Sequence, residues 1–190
     1  MMNRRTLLKN IALITGASVV GAEFFLSGCK RTEPGASPIG VFDGAEVDVL
    51  DAIAEAILPH TTTPGAKDAQ TGAFMADFVT ACYDPAEQGV VKKGITAIQA
   101  ASQATFKKAF TALTPEQQAA VLTPIAAEAK AYNENPPKDE PPHYFTLFRQ
   151  LTMLGFFTSE PGASQVLRYN PVPGKYRGCI EYKTGEKAWV

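Results

Sequence analysis

The fold the sequence predicts is an all-α single bundle of about five helices with an irregular C-terminal arm. Three observations point there. Apolar residues recur at three- and four-residue spacing in five separate stretches, helix punctuation stands at their ends, and no stretch of useful length alternates with period two.

The first helix is expected from Asp43 to Leu58, where Val47, Leu50, Ile53 and Ile57 form the apolar stripe and Glu46, Asp48, Asp51 and Glu55 lie between them. Asp43 suits the N-cap and Pro59 stops the helix. The stretch from His60 to Ala66, with its Pro64-Gly65 pair, reads as a loop. A second helix, from about Thr71 to Tyr83, carries Phe74, Met75, Phe78, Val79 and Cys82 on one side. A third is expected from about Ala86 to Phe110, with Val91, Ile95, Ile98, Phe106 and Phe110 as its stripe. The fourth opens at Thr114-Pro115-Glu116-Gln117, where threonine caps, proline takes the first helical position and glutamine completes a capping box. It should reach about Tyr132, before the polar, proline-rich stretch to Pro142. A fifth begins around His143 and carries Phe145, Phe148, Leu151, Leu154 and Phe157. Beyond Thr158 a short helix around Val166 and Leu167 gives way to prolines and an extended tail.

The amino terminus is organised differently. Arg4-Arg5-Thr6-Leu7-Leu8-Lys9 precedes an apolar run from Ile11 to Leu26, the pattern of a signal peptide with a paired-arginine export motif. The run is shorter than the roughly 20 residues a membrane-crossing helix needs, and Gly16 and Gly21 weaken it further. Leu26-Ser27-Gly28-Cys29 resembles the lipobox of bacterial lipoproteins, in which the cysteine is acylated and becomes the first residue of the mature chain. Two or three acyl chains hold a protein on a bilayer where one binds marginally. The expected organisation is therefore a twin-arginine lipoprotein signal over residues 1–28, a tether over 29–41 and a helical domain over 42–190. An ordinary signal with a chance cysteine is the competing reading.

Removing residues 1–28 leaves 15 basic and 18 acidic residues, a net charge of about −3, with no cluster of Lys and Arg for nucleic acid. Apart from Cys29 the chain has Cys82 and Cys179. An oxidising envelope permits them to pair, and closing a loop of that length would contribute about 4–5 kcal/mol in the chain-entropy picture. The alternative is two separate buried thiols.

The chemistry-bearing residues form no constellation. The carboxylates lie mostly on the solvent faces of helices, glycines never gather into a phosphate-cradling loop, and the two histidines, His60 and His143, sit at helix ends without identifiable acidic partners for a shared metal. No residue takes a catalytic, cofactor-binding or metal-binding assignment. That poses a question, because the twin-arginine route carries proteins already folded, usually around a cofactor. A folded partner that holds the cofactor and crosses under this chain's signal would answer it.

Three stretches carry a resemblance. They are Ala56-Ile57-Leu58-Pro59-His60-Thr61-Thr62-Thr63-Pro64-Gly65-Ala66, then Leu151-Thr152-Met153-Leu154-Gly155-Phe156-Phe157-Thr158-Ser159-Glu160-Pro161-Gly162, then Tyr169-Asn170-Pro171-Val172-Pro173-Gly174-Lys175-Tyr176-Arg177-Gly178-Cys179. Together they resemble the gluconate 2-dehydrogenase subunit 3 family, the small subunit of membrane-associated flavin sugar and sugar-acid dehydrogenases. The resemblance implies a non-catalytic accessory subunit that assists export, stability and membrane placement. A large flavoprotein would hold FAD and supply catalysis, and a cytochrome subunit often accepts the electrons. The lipobox departs from the family pattern and favours a complex tethered through Cys29 on the periplasmic side of the cell envelope. Phe156, Tyr169, Tyr176 and Arg177 are the candidate partner contacts, since Tyr, Phe and Arg are residues that interfaces favour. The competing expectation is a free-standing envelope lipoprotein that binds a small ligand or another protein.

Overall fold

The computed structural model describes residues 37–138, 140–172, 174–175 and 178–190. Over these the chain forms five α-helices: α1 (Gly44–Ile57), α2 (Thr71–Cys82), α3 (Pro85–Phe106), α4 (Pro115–Glu134) and α5 (Tyr144–Phe157). A 3-10 turn (Phe110–Ala112) joins α3 to α4, and a π-helical turn (Gly162–Val166) follows α5. Among the described residues there is no strand, only two isolated bridges. The all-α bundle expected from the periodicity is the observed architecture.

Capping fixes where three of the helices begin. The side chain of Asp43 accepts from the Glu46 N–H at 2.8 Å while the Asp43 N–H donates to the Glu46 carboxylate at 3.0 Å. Asp84 with Glu87, and Thr114 with Gln117, repeat the reciprocal pattern at α3 and α4. Each box satisfies two of the donors a helix N-terminus leaves orphaned. At α5 the cap is His143, whose Nδ1 accepts from the Phe145 N–H at 3.2 Å.

Helix α5 is the packing centre and touches each of the other four helices. Its buried face, Phe145, Leu147, Phe148 and Leu151, meets Leu50 and Ile53 of α1, Met75 and Val79 of α2, Val91, Ile95 and Ile98 of α3, and Val121 and Ile125 of α4 in one core. Burial of these side chains contributes roughly 1.5–3 kcal/mol each.

The third helix ends earlier than the stripe to Phe110 implied. It stops at Phe106, with Lys107 in the left-handed region at φ 57°. Side chains from the flanking helices hold the break. Ser102 Oγ donates to the Lys108 carbonyl at 2.7 Å, the Phe110 N–H donates to Gln99 Oε1 at 3.0 Å, and Gln118 Nε2 donates to the Phe110 carbonyl at 3.1 Å. Phe110 is thereby fully buried in the core from a separate turn rather than from α3.

Candidate functional site

The first and second of the three sequence stretches come together at one place. After α1 the chain makes a tight loop, and one carboxylate pins both of its arms. Glu55 Oε1 accepts from the His60 N–H and Oε2 from the Lys67 N–H, each at 2.8 Å. A second carboxylate closes the loop from inside, where Asp68 Oδ2 accepts from the Gly65 N–H at 2.7 Å and bonds His60 Nδ1 at 2.6 Å. Glycine is required at position 65 because a Cβ there would lie 2.4 Å from the His60 nitrogen and 2.7 Å from the Glu55 carboxylate. The hydrogen bond and charge of Asp68 hold the His60 imidazole above the ordinary histidine range, while the same bond and the Gly65 N–H hold Asp68 below the usual carboxylate range.

A cavity of about 400 Å³ opens beside this loop, lined by His60, Pro64 and Asp68 from the loop and by Glu160, Pro161 and Gln165 from the π-helical turn. The turn exists because the chain after α5 folds back on the helix end. Ser159 Oγ donates to the Phe156 carbonyl at 2.6 Å, and Gly162 sits so close over that carbonyl that a Cβ would lie 1.9 Å from the oxygen. Single π turns of this kind are frequent at functional sites.

The C-terminal arm returns to the same turn. The Arg168 and Asn170 N–H groups donate to the Ala188 and Val190 carbonyls at 2.8 and 3.0 Å, and the Val190 N–H donates to the Arg168 carbonyl at 3.2 Å. The Arg168 guanidinium lies 4.5 Å from the centroid of the Trp189 ring, and Lys187 Nζ donates to the Gln165 carbonyl. This small parallel pairing was not legible in a tail expected to be simply extended. Of the nine exposed large apolar side chains among the described residues, six lie on the arm: Tyr169, Val172, Ile180, Tyr182, Trp189 and Val190. Tyr182 and Val172 are 77% and 79% exposed.

The sequence-derived candidates separate against this geometry. Tyr169 is accessible on the arm, 60% exposed. Phe156 is not accessible. It is 1% exposed because the π-helical turn covers the end of α5, so it is corrected from a partner contact to a core residue. Cys82 and Cys179 are both free and both exposed, which departs from the paired reading and from the buried one alike. Cys82 falls on the outer edge of α2, where its neighbours Val79 and Met75 take the core. Arg4, Arg5, Cys29, Tyr176 and Arg177 lie outside the described residues. Among the described residues no group of three or more His, Cys, Asp or Glu could hold a metal ion, and no helix is long and apolar enough to cross a membrane. The role of Asp68 as partner to His60 was missed at the sequence level, although eight residues of separation across a Pro-Gly turn is a signal that could have suggested it.

No curated protein and no solved structure matches the chain at a significant level. Residues 44–174 match the family described as gluconate 2-dehydrogenase subunit 3, a span that takes in all five helices, the pinned loop, the π-helical turn and the start of the arm. By that match over more than half its length, the chain belongs to the gluconate 2-dehydrogenase subunit 3 family.

Proposed function

We propose that this chain is the non-catalytic small subunit of a flavin-dependent sugar or sugar-acid dehydrogenase, and that it docks a large FAD-bearing subunit through its C-terminal arm. Membership in a family of dehydrogenase subunits gives the class of complex. The observation that carries the docking role is the concentration of exposed apolar and aromatic side chains on the arm, next to a loop and turn held rigid by Glu55, Asp68 and Ser159. Aromatic side chains gathered on one exposed segment supply the large contact area that interface anchors use.

In the same reading Arg4 and Arg5 supply the twin-arginine export address for both subunits, and lipid on Cys29 places the complex on the periplasmic side of the envelope, where a cytochrome subunit takes the electrons. FAD belongs to the partner. The test is affinity capture of this chain from solubilised envelopes, together with an Arg4→Lys, Arg5→Lys variant. The expected outcome is co-purification of a flavoprotein and loss of its export in the variant. Capture of the chain alone, or an exported and active dehydrogenase in cells lacking it, would sink the proposal.

A further inference from the structure

A second concavity lies between α4 and α5 and shares no lining residue with the loop and π-helical turn. Its volume is about 310 Å³. Ala126 and Ala129 of α4 leave room opposite Phe145 of α5, so the floor is apolar. The rim is polar. Lys130 and Asn133 rise one turn apart on α4, and Arg149 stands one turn beyond Phe145 on α5, because positions three and four apart share a helix face. Asn133 Nδ2 donates to Thr146 Oγ1 at 3.0 Å and ties the two helices together across the groove.

Among the described residues the cations of this rim have no carboxylate partner. Lys67, Lys92 and Arg168 each have a carboxylate partner, whereas Lys130 and Arg149 make no ion pair among the described residues, and Glu134, also on the rim, lies beyond ion-pair distance of either. Two cations and one anion leave a net charge of +1 over an apolar floor. A head of charge −1 neutralises that rim. A bare ion would leave the floor unfilled. An arginine fork beside a lysine suits the paired oxygens of a carboxylate or a phosphodiester.

We propose that the α4–α5 groove binds an amphiphilic monoanion, with a phosphodiester or carboxylate head between Lys130 and Arg149 and an apolar body on Ala126, Ala129 and Phe145. Two sources carry that chemistry, the headgroup of an anionic lipid and a free carboxylate with an apolar tail.

Titration of the full chain with dihexanoyl phosphatidylglycerol below its micelle concentration, with hexanoate, with zwitterionic dihexanoyl phosphatidylcholine and with inorganic phosphate tests this, read by shifts of the Ala126, Ala129 and Phe145 resonances. Saturable binding of phosphatidylglycerol alone assigns a lipid headgroup, and binding of hexanoate at least as tight assigns a free carboxylate. The Lys130→Gln, Arg149→Gln double variant should bind about tenfold more weakly or worse, and Ala126→Leu should block the floor with both charges kept. Lys93→Gln, the same loss of charge on the exposed face of α3, should leave binding unchanged. Unaltered melting temperatures show that the variants fold, and each single Gln variant serves if the double does not. The proposal is overturned if phosphatidylcholine or inorganic phosphate binds as well as the amphiphilic anions, if no probe saturates, or if the Gln variants bind as the parent does.

Discussion

The helical bundle and the C-terminal arm solve opposite problems with similar residues. In the bundle, Phe148, Leu50, Ile53 and Met75 are buried within one core, and their cohesion is made of many short contacts. In the arm, Tyr169, Ile180, Tyr182 and Trp189 face solvent, and the backbone that holds them is joined to itself and to the π-helical turn by a few hydrogen bonds, one ring–guanidinium stack and an Arg168–Glu186 pair at 3.9 Å. The bundle buries its apolar side chains against one another, whereas the arm leaves its own exposed. Apolar content by itself therefore says little about which part of this chain is core.

That contrast can be broken at its strongest point first. Phe148 is fully buried where α5 meets its neighbours, so Phe148→Ala should cost about 3–5 kcal/mol, read as a large fall in melting temperature. A stable Phe148→Ala protein would show that the core is not where the stability lies. Gly162→Ala sets a methyl against the Phe156 carbonyl and should cost about 1–3 kcal/mol, with the loss localised by hydrogen exchange to the π-helical turn and the end of α5. If the whole bundle loosened instead, turn and bundle would be one cooperative unit.

Thr71 offers a change of the other sign. Its hydroxyl is buried at the start of α2 with no hydrogen-bond partner, so Thr71→Val should raise stability by about 1 kcal/mol in denaturant unfolding. A drop would reveal a partner for that oxygen. On the arm, the Ile180→Ser, Tyr182→Ser pair should shift unfolding by under about 0.5 kcal/mol, as surface changes do, while abolishing co-purification of the large subunit. An equal fall in stability would make the arm part of the core.

The smallest effect concerns the pinned loop. His60, with its pKa raised by Asp68, stabilises the fold below the ordinary histidine pKa, and this is lost as pH rises through the raised value. Asp68, with its pKa lowered by the His60 and Gly65 bonds, stabilises above the ordinary carboxylate pKa, and this is lost as pH falls through the lowered value. The pair thus contributes most between about pH 4 and 6.5. Titration of the His60 ring by NMR should give a pKa that falls in Asp68→Asn. An unchanged value would mean that the contact does not persist in solution, since both groups are solvent-exposed.

Much of the bundle was legible because the signals were local. Asp43, Thr114 and the apolar stripes announced α1, α4 and α5 to within about two residues. The end of α3 was not legible, since no glycine or proline marks it. The bonds from Gln99, Ser102 and Gln118 that draw Phe110 inward come from α3 and α4 and exist only once those helices pack. Pro124 stands inside α4, where it removes one helix donor, and no periodicity of the apolar stripe signals that the helix runs through it. The burial of Phe156 was illegible for a related reason: the next ten residues could have run on past the helix end, and only the Ser159 and Gly162 contacts show that they double back.

Sequence by itself determined the helical class, the caps, the placement of the loop around Pro64-Gly65 and the family, all of which rest on neighbours within a few positions or on motif spacing. Tertiary structure alone decided that the His60–Asp68 loop lies beside Glu160 and Gln165, that Phe156 is sealed while Tyr169 and Trp189 are open, and that Lys130 and Arg149 face one groove. The physical reason is separation along the chain. Side chains tens of residues apart meet or stay apart according to how whole helices pack, and no local propensity encodes that.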